Sequence, residues 1–332
     1  MMAKIRFIAG ILISLIFLYL ALTNVDFQVV TSSFAGLDWN YLVLCVVCQS
    51  ASLLCRAYLW KNILSFEKDV RYRHSFEALL IGYMGNNVLP FRMGEAMRAY
   101  AMGRKEQISR TLAFASVILE RLIDLFVLLL FFVCLVFLMT LAKWVIWSGI
   151  LVSLFLLLTV LILYMLASNF LELPSKLYRT LIRFVPGRWV GTIERIAGSF
   201  VKGIKLIRNP AQAARLVFLS LVAWTLWTAI LYFGLKALHL DLPITATLLL
   251  TVVVHIGVMI PSSPGFIGVF QYLCIVSLSF FNVQKEIALT FSFLVHTIQY
   301  IPTTLLGWFY LAQMHVTGYQ ALKKELDKAN AS

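Results

Sequence analysis

A chain of 332 residues that is 61% hydrophobic and 13% charged is not a soluble domain, since those average roughly 45–50% apolar. Its mean hydropathy of +0.89 fits a protein whose solvent is lipid. The net charge of +13 sits in loops beside apolar runs, as expected of cytoplasmic loops facing anionic headgroups, and no basic face on a soluble module offers itself to nucleic acid.

The N-terminus carries Lys4 and Arg6, then an apolar run from Phe7 to Leu22 with no small-x-small cleavage site before Asp26. It reads as an uncleaved signal anchor. The anchor exits into a loop bearing Asp26 and Asp38, and a second span over about 39–60 returns to Lys61, Lys68, Arg71 and Arg73. Next comes a broken element over about 75–103, interrupted by a Pro90–Gly94 turn and flanked by basic residues on both sides. Proline removes a backbone donor and clashes with the preceding turn, so the helix must break there. Its halves, His74–Leu89 and Met93–Met102, would rise only about 22 and 15 Å, against a hydrocarbon core of about 30 Å. Basic residues at both ends and this short reach predict a re-entrant hairpin opened toward the cytoplasm.

A third span over 110–141 and a fourth over 144–167 lead to a strongly basic stretch, 168–212. There Val190, Ile193, Ala197, Phe200, Ile204 and Ile207 repeat at helical spacing, opposite charges that include Lys202, Lys205 and Arg208. This predicts a basic amphipathic helix on the membrane surface. A fifth span over 213–235 exits to His239 and Asp241. A second broken element, 244–281, carries Pro261, Pro264, Gly265 and Gly268, and a last span over 286–314 ends near Lys323, Lys324 and Lys328.

The expected fold is therefore an all-α membrane protein of about six spans and two re-entrant broken-helix hairpins, with both termini cytoplasmic. The whole chain, 1–332, reads as one membrane domain. Loop charge makes the triplet 39–141 and the triplet 213–316 opposite in orientation, an inverted repeat joined by the connector 168–212. Paired helix breaks at corresponding places point to a binding site between the halves.

Ionisable residues at bilayer depth mark pathways or pairs. Glu120 and Asp124 share a face of the third span, and Arg121 projects about 100° away. Arg92, Glu95 and Arg98 are spaced by three along one face after the first break, and Arg56 in the second span is a further candidate partner. Two readings stand: a salt-bridge cluster that clamps the hairpin to the third span, or that clamp plus an arginine-held phosphate-bearing ligand. The second half offers only His255, Gln271, His296 and Gln299, either packing residues or a proton relay. The five cysteines, including Cys45-x-x-Cys48 inside an apolar span, read as packing residues rather than a metal or redox site. No Ser-His-Asp order, P-loop, HExxH or nucleotide-binding glycine motif appears, so no cofactor is expected, and a membrane-embedded enzyme acting on a lipid headgroup, the least favoured class, would have only the carboxylates of the buried cluster to work with.

Three segments, GNNVLPFRMGEAMRAYAM (85–102), ASVILERLIDL (115–125) and PSSPGFIGVFQ (261–271), resemble the signatures of the lysylphosphatidylglycerol synthase transmembrane-region family, the flippase-like integral membrane proteins. The resemblance covers essentially the whole chain. It maps Asn87, Pro90, Arg92, Gly94, Glu95 and Arg98 to the first motif. Glu120, Arg121 and Asp124 map to the second, and Pro261, Pro264, Gly265, Gly268 and Val269 to the third. Phe91 stands where glycine is common, and Gln271 where a carboxylate is common. The resemblance implies movement of an anionic phospholipid or polyprenyl-phosphate-linked lipid across a bacterial or archaeal cytoplasmic membrane. Asn87, Arg92, Glu95, Arg98, Glu120, Arg121, Asp124, Gln271 and His296 would line the route. The alternative is a scaffold for a separately encoded lipid-modifying enzyme or glycosyltransferase. Lysyl transfer itself is not expected, because the soluble aminoacyl-transfer domain is absent.

Overall fold

The computed structural model describes residues 2–65, 68–90, 92–140, scattered positions within 143–158, 210–258 and 263–330, with side chains described from Gly10 to Met314. The basic connector with Lys202, Lys205 and Arg208, most of the expected fourth span, Phe91 and Pro261 lie outside the described residues.

All regular structure among the described residues is helical: α1 Met2–Leu22, α2 Phe27–Ala35, α3 Trp39–Leu64, α4 Tyr72–Val88, α5 Gly94–Glu106, α6 Arg110–Leu138, α7 Pro210–Ala237, α8 Ile244–Gly257, a 3-10 turn Pro264–Phe266, α9 Val269–Ser279 and α10 Lys285–Asn330. Three helices, α3, α6 and α7, are long and apolar enough to cross a bilayer, and a fourth span is reached if α1 and α2 count as one bent element. The α1–α2 bend is 82°. The loop expected around Asp26 and Asp38 thus contains a helix. Both aspartates act as N-caps, Asp26 accepting from the Gln28 amide and Asp38 from the Asn40 amide, each satisfying an otherwise orphaned donor. Residues 286–314 fall within α10, which carries Pro302 in its interior.

Both expected breaks are present. α4 ends at Val88 and α5 starts at Gly94, while α8 ends at Gly257 and α9 starts only at Val269, so the second break is longer than its Pro264–Gly268 turn suggests. The first break turns at Arg92, with φ 52°, and the second at Gly265, Phe266 and Gly268, with φ 67°, 58° and 89°. Gly94 therefore serves another purpose than the expected hinge. It lies where α4 and α5 cross, and a Cβ there would strike the Gly82 carbonyl and sit 2.5 Å from the Asn86 amide. Gly94→Ala should lower the thermal stability of the purified protein by about 1–3 kcal/mol through overpacking. Gly36→Ala, whose Cβ would meet only the Ser32 carbonyl at 3.7 Å, is the matched control. Equal melting of the two variants would overturn this account.

Helix α3 packs along α7, α4 along α10, and α8 against α6. Each short pair packs on itself, α4 on α5 and α8 on α9, and then on the following long helix, α5 on α6 and α9 on α10. The apolar core lies between these contacts: Trp60, Leu59 and Met102 on one side, Phe291, Val295 and Cys274 on the other, all fully buried. Cys45 is also fully buried, its thiol donating to the Ile230 carbonyl. It packs α3 on α7. The basic loop after α3 is partly neutralised by two buried acids that tie the open end of the α4–α5 pair. Glu106 Oε1 accepts from the Arg71 amide at 2.9 Å and meets His74 Nδ1 at 2.6 Å. Glu77 pairs with Arg73 and Lys105.

Candidate functional site

The two helix breaks face one another. Arg92 Nη2, on the first break, donates to the Val258 carbonyl at 3.2 Å, beyond the end of α8. Its guanidinium stands over the Phe266 ring at 5.3 Å. Asn87 Nδ2 donates to Thr304 Oγ1 at 2.8 Å and to Thr303 Oγ1 at 3.2 Å, and Tyr300 OH donates to the Asn87 carbonyl at 3.1 Å. Gly265 also comes close, since a Cβ there would lie 3.2 Å from the Asn87 carbonyl. Asparagine before a break and glycine inside one are small enough for two backbones to approach.

Beside the meeting point lies a cavity of about 320 Å³. Of the expected route residues it is lined by Asn87, Arg92, Glu95, Arg121, Asp124 and His296. Arg98, Glu120 and Gln271 do not line it. Arg98 is 1% exposed and Glu120 fully buried, paired at 2.7 Å, with the guanidinium 3.7 Å above the Trp60 ring. That pair clamps α5 to α6 behind the cavity wall. Gln271 is buried, and its Oε1 accepts from the Gly268 amide at 2.8 Å. The amide nitrogen is then turned to His296 Nδ1 at 3.0 Å. With Oε1 already accepting, Gln271 must donate, so His296 Nδ1 is unprotonated. Gln271 thus fixes the second break and one imidazole tautomer.

Asp124 is the hub of the charged wall. It accepts from Arg56 Nη1 at 2.9 Å, Ser220 Oγ at 2.9 Å and Trp224 Nε1 at 3.0 Å, joining α3, α6 and α7. Arg121 Nη1 adds a fourth contact at 3.3 Å. Arg121 also pairs with Glu95 at 3.4 Å and approaches Glu120 at 3.8 Å. Arg56, expected from the sequence as a further candidate partner, is the arginine that takes Asp124. Four guanidiniums meet three carboxylates, and among the described residues Arg92 makes no ion pair.

Among the described residues two buried polar atoms of cavity-lining side chains have neither a hydrogen-bond nor an ion-pair partner, Gln299 Nε2 and Asn86 Oδ1, and the latter lies at the α4–α5 crossing, where a Cβ on Gly94 would meet it at 2.6 Å. Polar atoms left so at low dielectric are costly. Asn86 and Tyr83 were not legible as site residues, because α4 carries several other polar positions, Arg73, His74, Ser75, Glu77 and Asn87, and no spacing sets these two apart. His255, noted in the sequence, lines the cavity between Trp224 and Trp227, with ring centroids at 4.4 and 4.2 Å.

Residues 7–307 match the family described as the lysylphosphatidylglycerol synthase TM region. The chain belongs to that family. Within it, the chain is 25% identical to a UPF0104 membrane protein of Methanocaldococcus jannaschii, over 96% of this chain and 95% of the relative. A second UPF0104 membrane protein of that organism is 24% identical over 70% of this chain and 95% of its own length. The glycosyltransferase AglD of Haloferax volcanii is 29% identical over 37% of this chain, which covers 20% of that protein. The family match spans all three sequence motifs, hence both breaks and the charged face of α6.

Proposed function

We propose that the protein is a lipid flippase, moving an anionic phospholipid or a polyprenyl-phosphate-linked lipid between leaflets of a cytoplasmic membrane, with both termini in the cytoplasm. The observation that carries this reading is Arg92. It is a cation without an ion-pair partner among the described residues, on a cavity wall where two broken helices meet. A guanidinium there offers a headgroup a polar stop midway across hydrocarbon while the tails stay in lipid. The reading needs no catalytic group and no cofactor.

An inverted repeat in the membrane is part of the proposal, and the packing supports it. Taking α3 to α6 as one unit and α7 to α10 as the other, every helix contact within the first has a counterpart in the second. The cross contacts α4–α10 and α8–α6 exchange under the same correspondence. Rocking of one unit against the other would open the cavity to either leaflet in turn. The basic connector, through Lys202, Lys205 and Arg208, would gather anionic lipid at the cytoplasmic face at about 1 kcal/mol per charge.

A second reading is favoured by one finding. The similarity to part of a glycosyltransferase supports a scaffold that holds such an enzyme and moves nothing. Purified protein in liposomes separates the two. Flippase activity predicts movement of a labelled anionic lipid faster than in protein-free liposomes, slowed when the three connector charges are neutralised together. No movement for phospholipid and polyprenyl-phosphate probes alike would leave the scaffold.

A further inference from the structure

Charge in the cavity narrows the ligand further, on the reading that the cavity is the lipid's route. Arg56, Arg92 and Arg121 line it with Glu95 and Asp124, an excess of one positive charge. Adding the enclosed Arg98–Glu120 pair leaves that excess unchanged. The imidazoles do not alter it. His296 Nδ1 accepts from Gln271. His255 Nδ1 meets the Thr251 carbonyl at 2.8 Å, its ring lies against Trp224 and Trp227, and among the described residues no carboxylate lies within ion-pair distance. A buried imidazole so placed stays neutral.

A net charge of one at low dielectric is matched by one negative charge. A second would stay uncompensated and be costly to desolvate. A phosphodiester carries a single charge at every physiological pH, whereas a phosphomonoester carries about −1.5 to −2 at neutral pH, and a diphosphate carries more than a diester. The diester also presents two equivalent oxygens to a guanidinium fork.

About 320 Å³ is near the lower end of small-molecule sites, room for a headgroup and not for acyl tails.

We infer that the cavity selects a monoanionic phosphodiester, held at Arg92, and rejects phosphomonoesters and diphosphates. Such a diester occurs in glycerophospholipids and in sugar-phosphoryl polyprenols, which share this chemistry.

The test is equilibrium binding to the full-length protein in phosphatidylcholine nanodiscs. The probes are phosphatidylglycerol, a polyprenyl phosphosugar, phosphatidylmethanol, phosphatidic acid and a polyprenyl diphosphate. At least one of the two diesters that carry a polyol headgroup, phosphatidylglycerol and the polyprenyl phosphosugar, should bind about tenfold or more tighter than the monoester and the diphosphate, as should phosphatidylmethanol if a glycerolipid is the source. Which of the two diesters binds identifies the source. Arg92→Gln should erase the preference. Gln299→Lys, which adds one charge to the wall, should shift it toward the diphosphate, and this second variant decides the matter if the first does not fold. Equal or tighter binding of the diphosphate by the unmodified protein overturns the inference, as does an unchanged preference in either folded variant. Selective binding without lipid movement would sink the flippase reading alone. Movement indifferent to headgroup charge would sink this inference alone.

Discussion

Arg98→Ala is expected to remove folded protein from the membrane. The side chain is 1% exposed, its ion pair with the fully buried Glu120 is 2.7 Å long, and it lies 3.7 Å over the Trp60 ring. Trp60 Nε1 in turn donates to Ser116 Oγ on α6, so the stack ties α3, α5 and α6 together. Truncation leaves Glu120 charged at zero exposure with Arg121 only at 3.8 Å. Breaking a buried pair from one side costs about 3–5 kcal/mol. That is a large share of the roughly 5–15 kcal/mol by which proteins are stable.

The pair as a whole is another matter. Arg98 Nε and Nη1 and Glu120 Oε1 lack hydrogen-bond partners, and an imperfectly satisfied buried pair is often replaceable by apolar groups at little cost. Arg98→Met combined with Glu120→Leu should therefore recover most of the yield and thermal stability that either single change loses. Size-exclusion behaviour and thermal unfolding in detergent measure both. Wild-type stability in Arg98→Ala, or a double variant worse than both singles, would overturn the clamp.

This pair also shows what the sequence could and could not tell. The spacing of Arg92, Glu95 and Arg98 places them along one face of α5, and all three do face the α6 charges or the cavity. Periodicity could not say that Arg98 is sealed against Trp60 while Arg92 turns toward the second break. That division depends on Arg92 lying outside the helix, in a left-handed turn at φ 52°, which no helical wheel represents. Arg56 was visible as a buried charge in an apolar span, but only the packing of α3 along α7 brings it to Asp124 beside Ser220 and Trp224.

The breaks were legible because proline and glycine act locally. Their mutual contact, Arg92 against Val258 and Phe266, joins residues 166 or more positions apart, and composition carries no trace of it. Gly94 shows a limit of a different kind. The Pro90–Gly94 spacing suggests a hinge, while the atoms use the missing Cβ for the crossing of α4 and α5 beside the Gly82 carbonyl. Helix α2 was hidden because Asp26 is both a loop charge and an N-cap, and only the structure distinguishes those roles.

The opposite outcome is expected six residues before Arg98, in the turn that precedes α5. Arg92→Gln should fold as the unmodified protein does and lose lipid movement. Among the described residues Arg92 has no ion-pair partner to strand, and its one hydrogen bond goes to a backbone carbonyl, that of Val258. The strained backbone at φ 52° weighs on glutamine about as on arginine, so the comparison isolates the charge. A hydrogen bond to a charged group contributes about 1.5–3 kcal/mol. Its loss at a step that holds an anionic headgroup then corresponds to a rate lowered about ten- to a hundredfold. Arg92→Lys should recover only part, since an ammonium keeps the charge but not the planar fork. Because Arg92 also bridges the two breaks, a control must disturb that contact without touching charge. Phe266→Leu removes the ring beneath the guanidinium and should retain most of the movement. Dithionite quenching of labelled lipid in proteoliposomes reads all three variants. An unimpaired Arg92→Gln would remove the cavity from the lipid's path. Equal loss in Phe266→Leu would assign Arg92 to holding the breaks together rather than to the headgroup.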